Sequence, residues 1–136
     1  MFPRIDDATF VAGQIGPEDV AEAAALGVTM IVNNRPDGEE PGQPPSAEIE
    51  AAARAAGLDY HHVPVVGGIA PEQVAAMATA LEEADGTVLA FCRSGTRSTY
   101  LWALARKAQG ADGAALIAQA EAAGYDLSPL RYHLLR

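Results

Sequence analysis

The chain has 136 residues, 49% of them hydrophobic and 20% charged, which is length and apolar content enough for one packed domain over residues 1–136. Eighteen acidic against nine basic side chains give a formal net charge of −9, which argues against nucleic acid or an anionic membrane surface as a partner. One cysteine excludes an internal disulfide, no Cys/His grouping has metal-ligand spacing, no apolar run can cross a bilayer, and the first residues carry no signal-peptide core, so a reducing, cytoplasmic setting with no metal or cofactor is expected.

Residues 9–15 read as a short strand. Gly16, Pro17, Glu18 and Asp19 open a helix, because proline suits a first turn and acids suit the positive dipole end. Val20, Ala23, Ala24 and Leu26 give that helix its apolar face, and Gly27 ends it. Residues 28–32 form a buried strand, and residues 33–45, rich in Asn, Pro, Gly and Glu, form a loop. Ser46 has N-cap chemistry for a helix running to about residue 56, ahead of Gly57. The next strand covers residues 58–65, where Pro64 marks a strand end or a sheet edge. Gly67 and Gly68 break the chain. Pro71 and Glu72 start a helix to residue 84, with Val74, Met77, Ala78 and Leu81 on one face. Residues 87–91 are a strand feeding Cys92. A helix over residues 95–109 buries Tyr100, Leu101, Leu104 and Ala105, and a last helix over residues 111–123 is closed by Gly124. The tail, residues 125–136, is apolar enough to pack down. Strands alternating with helices predict a mostly parallel sheet covered on both faces, with ligands at the C-terminal strand ends. Residues 33–40, 66–70 and 92–98 should therefore share one rim.

The rim segment Cys92-Arg93-Ser94-Gly95-Thr96-Arg97-Ser98 carries the chemistry. A thiol at a strand end, followed by a short glycine loop and a helix start, meets backbone N–H groups and an arginine. These favour thiolate over thiol and hold an anion beside it. Gly95 permits close backbone approach, Ser94 and Thr96 contribute their amides, Arg97 reaches back as a planar fork, and Ser98 can donate a hydroxyl hydrogen bond to the thiolate. Arg93 projects from mid-loop toward substrate or solvent. The other reading of Cys92 is a buried structural thiol. Asp37 is a candidate acid on the same rim, or part of a Pro36-Asp37-Gly38 turn with solvated acids. Arg35 binds an anionic substrate, or pairs with Glu39 or Glu40. His61 and His62 face opposite sides of their strand, so that one can tune Cys92 unless both are satisfied at the sheet surface. Trp102 and Tyr100 are core candidates, and Tyr132 and His133 carry no signal.

The order strand, Cys, loop, Arg, Ser, helix resembles the protein tyrosine and dual-specificity phosphatase superfamily, whose loop is one residue longer than the four that separate Cys92 from Arg97. The stretch from Cys92 to Arg97 is similar instead to the active loop of rhodanese-type sulfurtransferases. Across nearly the whole chain, residues 10–14, 31–39, 60–67 and 91–98 resemble a small bacterial phosphatase-like family (DUF442), which includes a domain sometimes fused to metallo-β-lactamase-like persulfide dioxygenases. That resemblance implies an α/β fold, a phosphatase-like three-layer α/β/α domain with a four- or five-stranded mostly parallel sheet, and either phosphatase or sulfur-transfer chemistry. Two features favour sulfur. A shorter loop turns fewer amides inward and suits a single sulfane sulfur. Residues 63–70, where dual-specificity phosphatases carry an acidic proton donor, contain no carboxylate, and sulfite leaves thiosulfate without a proton. The expectation is a sulfurtransferase that moves sulfane sulfur from thiosulfate or a persulfide, through a Cys92 persulfide, to an external thiol such as glutathione, with a persulfide dioxygenase as partner. The alternatives are phosphomonoester hydrolysis through phosphocysteine, with Asp37 as acid, and a non-catalytic module binding an anion or persulfide.

Overall fold

The structure, a computed structural model, describes residues 2–136. Its elements are β1 (Arg4–Asp6), β2 (Thr9–Ala12), α1 (Pro17–Ala25), β3 (Val28–Asn33), α2 (Ser46–Ala55), β4 (Asp59–His62), α3 (Pro71–Glu83), β5 (Thr87–Phe91), α4 (Thr96–Ala108), α5 (Gly113–Ala122) and, after a 3-10 turn at Ser128–Leu130, α6 (Arg131–Leu134). The five strands lie in the order β1-β2-β5-β3-β4. β1 runs antiparallel to β2, and the other pairings are parallel. β5 is therefore the central strand, and Cys92 leaves the middle of the sheet at the rim where β2, β3 and β4 also end.

The continuous apolar run of β5 follows from burial on both faces. Val88 and Ala90 point into the core shared with Met77, Leu101, Trp102 and Leu116, on the side of α3, α4 and α5. Leu89 and Phe91 point the other way, onto Val20 and Ile49 of α1 and α2. This is the three-layer α/β/α arrangement expected, with five strands.

Several local readings shift. β1 was not expected, because Pro3 and the Asp6-Asp7 pair hide a three-residue strand that gains its partners only at the sheet edge. Its Asp6 Oδ2 accepts the Nε1–H bond of buried Trp102 at 2.7 Å, giving that indole the polar partner it needs. The first predicted strand ends at Ala12, where the chain turns to follow the cysteine loop. β4 stops at His62 and is an edge strand, in keeping with Pro64 just beyond it. Leu26 is exposed rather than part of the α1 face. The tail packs down through buried Leu127 and Leu134, and the carbonyl of Leu134 lies so close to Gly113 that a side chain there would overlap it.

The start of α2 differs in a way that bears on function. Ser46 is the first helical residue, not the cap, and Pro45 before it offers no side-chain acceptor. The missing acceptor is Asp37, whose Oδ1 takes the Ser46 N–H at 2.8 Å. Ser46 Oγ is in turn hydrogen-bonded to Tyr60 Oη at 2.8 Å. Asp37 is thus occupied as a capping acceptor reaching in from the loop. Replacing it with alanine should lower the urea-denaturation stability by about 1 kcal/mol, the usual cost of a lost helix cap. Asp37→Asn, which keeps an acceptor oxygen, should recover most of that loss.

Candidate active site

Two adjacent asparagines fasten the strand ends around the cysteine loop. The Asn34 N–H bonds the carbonyl of Phe91 at 2.8 Å, tying β3 to the residue before Cys92. Asn34 Nδ2 donates to the Val63 carbonyl at 3.0 Å, and Asn33 Nδ2 donates to Tyr60 Oη at 3.0 Å, which ties in β4. Both asparagines are buried, so these bonds give their Nδ2 donors partners that would be costly to lose and fix the rim's geometry, while Asn34 Oδ1 is left without a partner. On the other side the Gln14 N–H donates to the Arg93 carbonyl at 3.2 Å, anchoring the loop to the end of β2.

Cys92 is fully buried at the end of β5. The loop turns back over it, and the Gly95 N–H points at Sγ with an N···S distance of 3.1 Å. That bend needs φ +91° at Gly95, a left-handed conformation that glycine adopts without penalty. The Gly95 carbonyl is held by both the N–H and the hydroxyl of Thr99, at 2.9 and 2.8 Å. Ser94 and Thr96 lie on the exposed side, their hydroxyls 3.2 Å apart. Ser98 Oγ is buried with no hydrogen-bond partner, so the thiolate contact expected of it is not made, and the Gly95 amide occupies that role.

Arg97, in the first turn of α4, gives both terminal nitrogens to the carboxylate of Glu39, at 2.7 and 2.8 Å, and one of them also reaches the Val65 carbonyl at 3.0 Å. The rim segments around residues 39, 65 and 97 therefore meet. The hydrogen bond to Glu39, followed by the charge of Cys92, holds the guanidinium even more firmly in its charged form. Glu39 is pulled down to about 2, first by its hydrogen bond from Arg97 and then by that from Arg35.

Arg35 is not poised for substrate. Its side chain is only 4% exposed and fully engaged: Nε with Glu39 at 2.8 Å, Nη2 with Glu40 at 2.6 Å and Nη1 with Gln14 Oε1 at 3.0 Å. Both of the pairings weighed from sequence form together, and the substrate-binding alternative gives way to a structural one. Glu40 also meets Arg93 Nε at 3.0 Å, but Arg93 remains two-thirds exposed and free to swing toward a ligand. Three guanidiniums, Arg35, Arg93 and Arg97, interleave here with the carboxylates of Glu39 and Glu40, and Asp37 lies in the same loop. His62 donates its Nε2–H to the Arg35 carbonyl at 2.8 Å, since a carbonyl can only accept, and so serves the same scaffold rather than Cys92.

Sequence reasoning missed the anchoring roles of Asn33, Asn34, Gln14 and Thr99, and it missed Tyr125. The phenol of Tyr125 comes from the C-terminal segment to donate to the Ser94 carbonyl at 3.2 Å. An open cleft of about 520 Å³ runs between Tyr125, Arg93 and Gln14 beside the loop. A cavity of about 560 Å³ near Asp6, Thr9 and Arg106 sits at the opposite end of the strands, far from the nucleophile. Among the described residues, no group of His, Cys, Asp and Glu could hold a metal ion, and no helix is long and apolar enough to cross a membrane.

The lowered pKa of Glu39 fixes the sign of a pH effect. A carboxylate favoured in the folded state stabilises the protein above its ordinary value of 4.5, and that contribution disappears as the pH falls from there toward about 2. Glu39→Gln should therefore be less stable than wild type near neutral pH, and the gap should close through that acidic window. Urea midpoints over a pH series test this, and a gap that does not vary with pH would contradict it.

Residues 2–110 match the family described as beta-lactamase hydrolase-like protein, phosphatase-like domain. A beta-lactamase hydrolase-like protein of Agrobacterium fabrum is 41% identical over 108 residues, 79% of this chain and 25% of the relative. One from Xylella fastidiosa is 40% identical over 107 residues, 78% of this chain and 25% of that protein. The chain thus spans about a quarter of the length of the curated relatives it matches. A crystal structure of a candidate phosphatase from Neisseria meningitidis is similar over 98% of this chain and 95% of that one, with a TM-score of 0.84 at 35% identity. A candidate phosphatase (DUF442) from Shewanella putrefaciens, covering 98% of this chain and 87% of its own at a TM-score of 0.74 and 18% identity, shares the fold. With a phosphatase-like sheet, a cysteine at the end of its central strand and this breadth of similarity, the chain belongs to the phosphatase-like domain family of the beta-lactamase hydrolase-like proteins.

Proposed function

We propose that this domain is a cysteine-nucleophile sulfurtransferase. The observation that supports the reading is a buried cysteine near an arginine, with the acids of the neighbouring loop committed to other partners. The Gly95 N–H points at Cys92 and the charge of Arg97 acts on it, while Glu39 and Glu40 are ion-paired with arginines and Asp37 caps α2. Glu39, held at about 2, is ionised at neutral pH and has no proton to give a leaving group. Chemistry whose leaving group departs as a stable anion fits such a site.

In the proposed cycle the Cys92 thiolate attacks the outer sulfur of thiosulfate. A new S–S bond forms on Cys92, the S–S bond of thiosulfate breaks, and sulfite departs with the electron pair. The Gly95 amide and Arg97 stabilise the negative charge on the Cys92 persulfide. An external thiolate then attacks the outer sulfur and leaves as a persulfide, returning Cys92 as thiolate with no net oxidation. Because Cys92 is the sole cysteine of the chain, the acceptor comes from outside it, with glutathione as the chemical type. A low-molecular-weight persulfide serves equally as donor, and a persulfide dioxygenase is a fitting consumer of the product.

A second reading, phosphomonoester hydrolysis through phosphocysteine, is the one the family and the solved relatives favour, since similar solved structures are described as candidate phosphatases. Against it stand the absence of a carboxylate across residues 63–70, the ion pairing of Glu39 and Glu40, and the capping role of Asp37, although Asp19 and Glu22 line the cleft beside the loop.

Intact-mass measurement separates the two. After incubation with thiosulfate, the wild-type protein should gain one sulfur atom, release sulfite, and lose the added mass on treatment with glutathione. Cys92→Ser should remain unmodified. No sulfur adduct, together with a phosphoryl adduct from an aryl phosphate, would overturn the proposal in favour of the second reading.

A further inference from the structure

The peptide joining Ser94 to Gly95 has both of its polar groups engaged, on opposite sides. Its N–H is directed at Cys92 Sγ at 3.1 Å, and its carbonyl accepts the Tyr125 hydroxyl at 3.2 Å. In a planar trans peptide the C=O and N–H point in opposite directions, so anchoring the carbonyl outward aims the N–H inward at the sulfur. Nothing in Gly95 itself would enforce this, because a glycine at φ +91° and ψ −10° has no Cβ to oppose rotation of the peptide plane. The next carbonyl, that of Gly95, is fixed by Thr99 of α4, which leaves the Ser94 carbonyl as the point where the loop needs an anchor from elsewhere.

Tyr125 is held in place to serve as that anchor. Its N–H bonds the carbonyl of Ala120 at the end of α5, and Leu127, two residues on, is buried in the core. The phenol rests against Gly95 so closely that a Cβ there would overlap Oη, so the two residues require one another. Burial first, and then the charge of Cys92, push the phenol's pKa up, which keeps it a protonated donor at neutral pH. Tyr125 also lies outside residues 2–110, the part of the chain that matches the family.

We propose that Tyr125 is a positioning residue for the Cys92 nucleophile, acting through the Ser94 carbonyl to orient the peptide whose N–H stabilises the thiolate. The proposal rests on Cys92 being the nucleophile, and it is independent of whether sulfur or phosphorus is attacked. The charged and titratable groups facing Cys92 are Arg97 from α4 and Tyr125 from the C-terminal segment, with Glu39 acting through Arg97.

The test is a pH titration of thiolate ultraviolet absorbance in wild type and in Tyr125→Phe, each read as the difference from its matched Cys92→Ser protein. Tyr125→Phe keeps the ring against Gly95 and removes only Oη. The midpoint of thiolate formation should rise by about half a unit, leaving roughly threefold less thiolate below it. Urea midpoints measured alongside confirm that both proteins are folded. A residue with a purely structural role would shift the urea midpoint and leave the thiolate titration unchanged, so superimposable titrations of folded proteins would overturn the proposal. No donor or turnover is involved, so failure of sulfur transfer would leave this result readable, and its failure would leave the sulfur-transfer assay readable.

Discussion

The carboxylate of Glu39 is the interaction on which the rim depends. It grips Arg97 with both oxygens and takes Arg35 as well, so one side chain in the loop after β3 joins the start of α4 to the end of β2 through the Arg35–Gln14 contact. Without it, Arg97 would lose its carboxylate partner and Arg35 would keep only Glu40. With it, Arg97 is held in one orientation, braced also on the Val65 carbonyl, with its charge felt at Cys92. Preorganised charge of this kind stabilises a thiolate and the anion beside it without rearrangement at the moment of reaction.

The sheet order explains why this small constellation can be precise. β5 is central and buried on both faces, so its C-terminal end is fixed by two cores at once. Asn33 and Asn34 then pin the neighbouring strand ends to it and to β4. The outer part of the site, exposed Arg93 and the cleft beside Tyr125, faces solvent. In an acidic protein, three of the nine basic side chains thereby gather around its only thiol, each paired with Glu39 or Glu40.

The layered α/β fold was legible because its signals are local: strand runs of the right length, prolines at helix starts, and glycines at helix ends. The cysteine loop was legible for the same reason, since its residues are contiguous. What stayed hidden depends on contacts between distant segments. β1 is three residues long and exists only because β2 offers it an edge. Asp37 looked like a turn residue or an acid, and its capping of Ser46, nine residues on, cannot be read from spacing. Ser98 was assigned a bond to the thiolate by its position after Arg97, yet the Gly95 amide makes that contact. Tyr125 stands 33 positions beyond Cys92 and reaches the loop only once α5 and the tail have docked.

The central claim is that this site drives off leaving groups that need no proton. The most direct measurement compares turnover of thiosulfate, followed as sulfite release with glutathione as acceptor, with turnover of a series of phosphomonoesters of increasing leaving-group basicity, each against Cys92→Ser. The account predicts Cys92-dependent sulfite release, and phosphate release that is weaker and falls steeply as the leaving group becomes more basic. Efficient hydrolysis of alkyl phosphates, with little dependence on leaving-group basicity and no sulfite release, would contradict it.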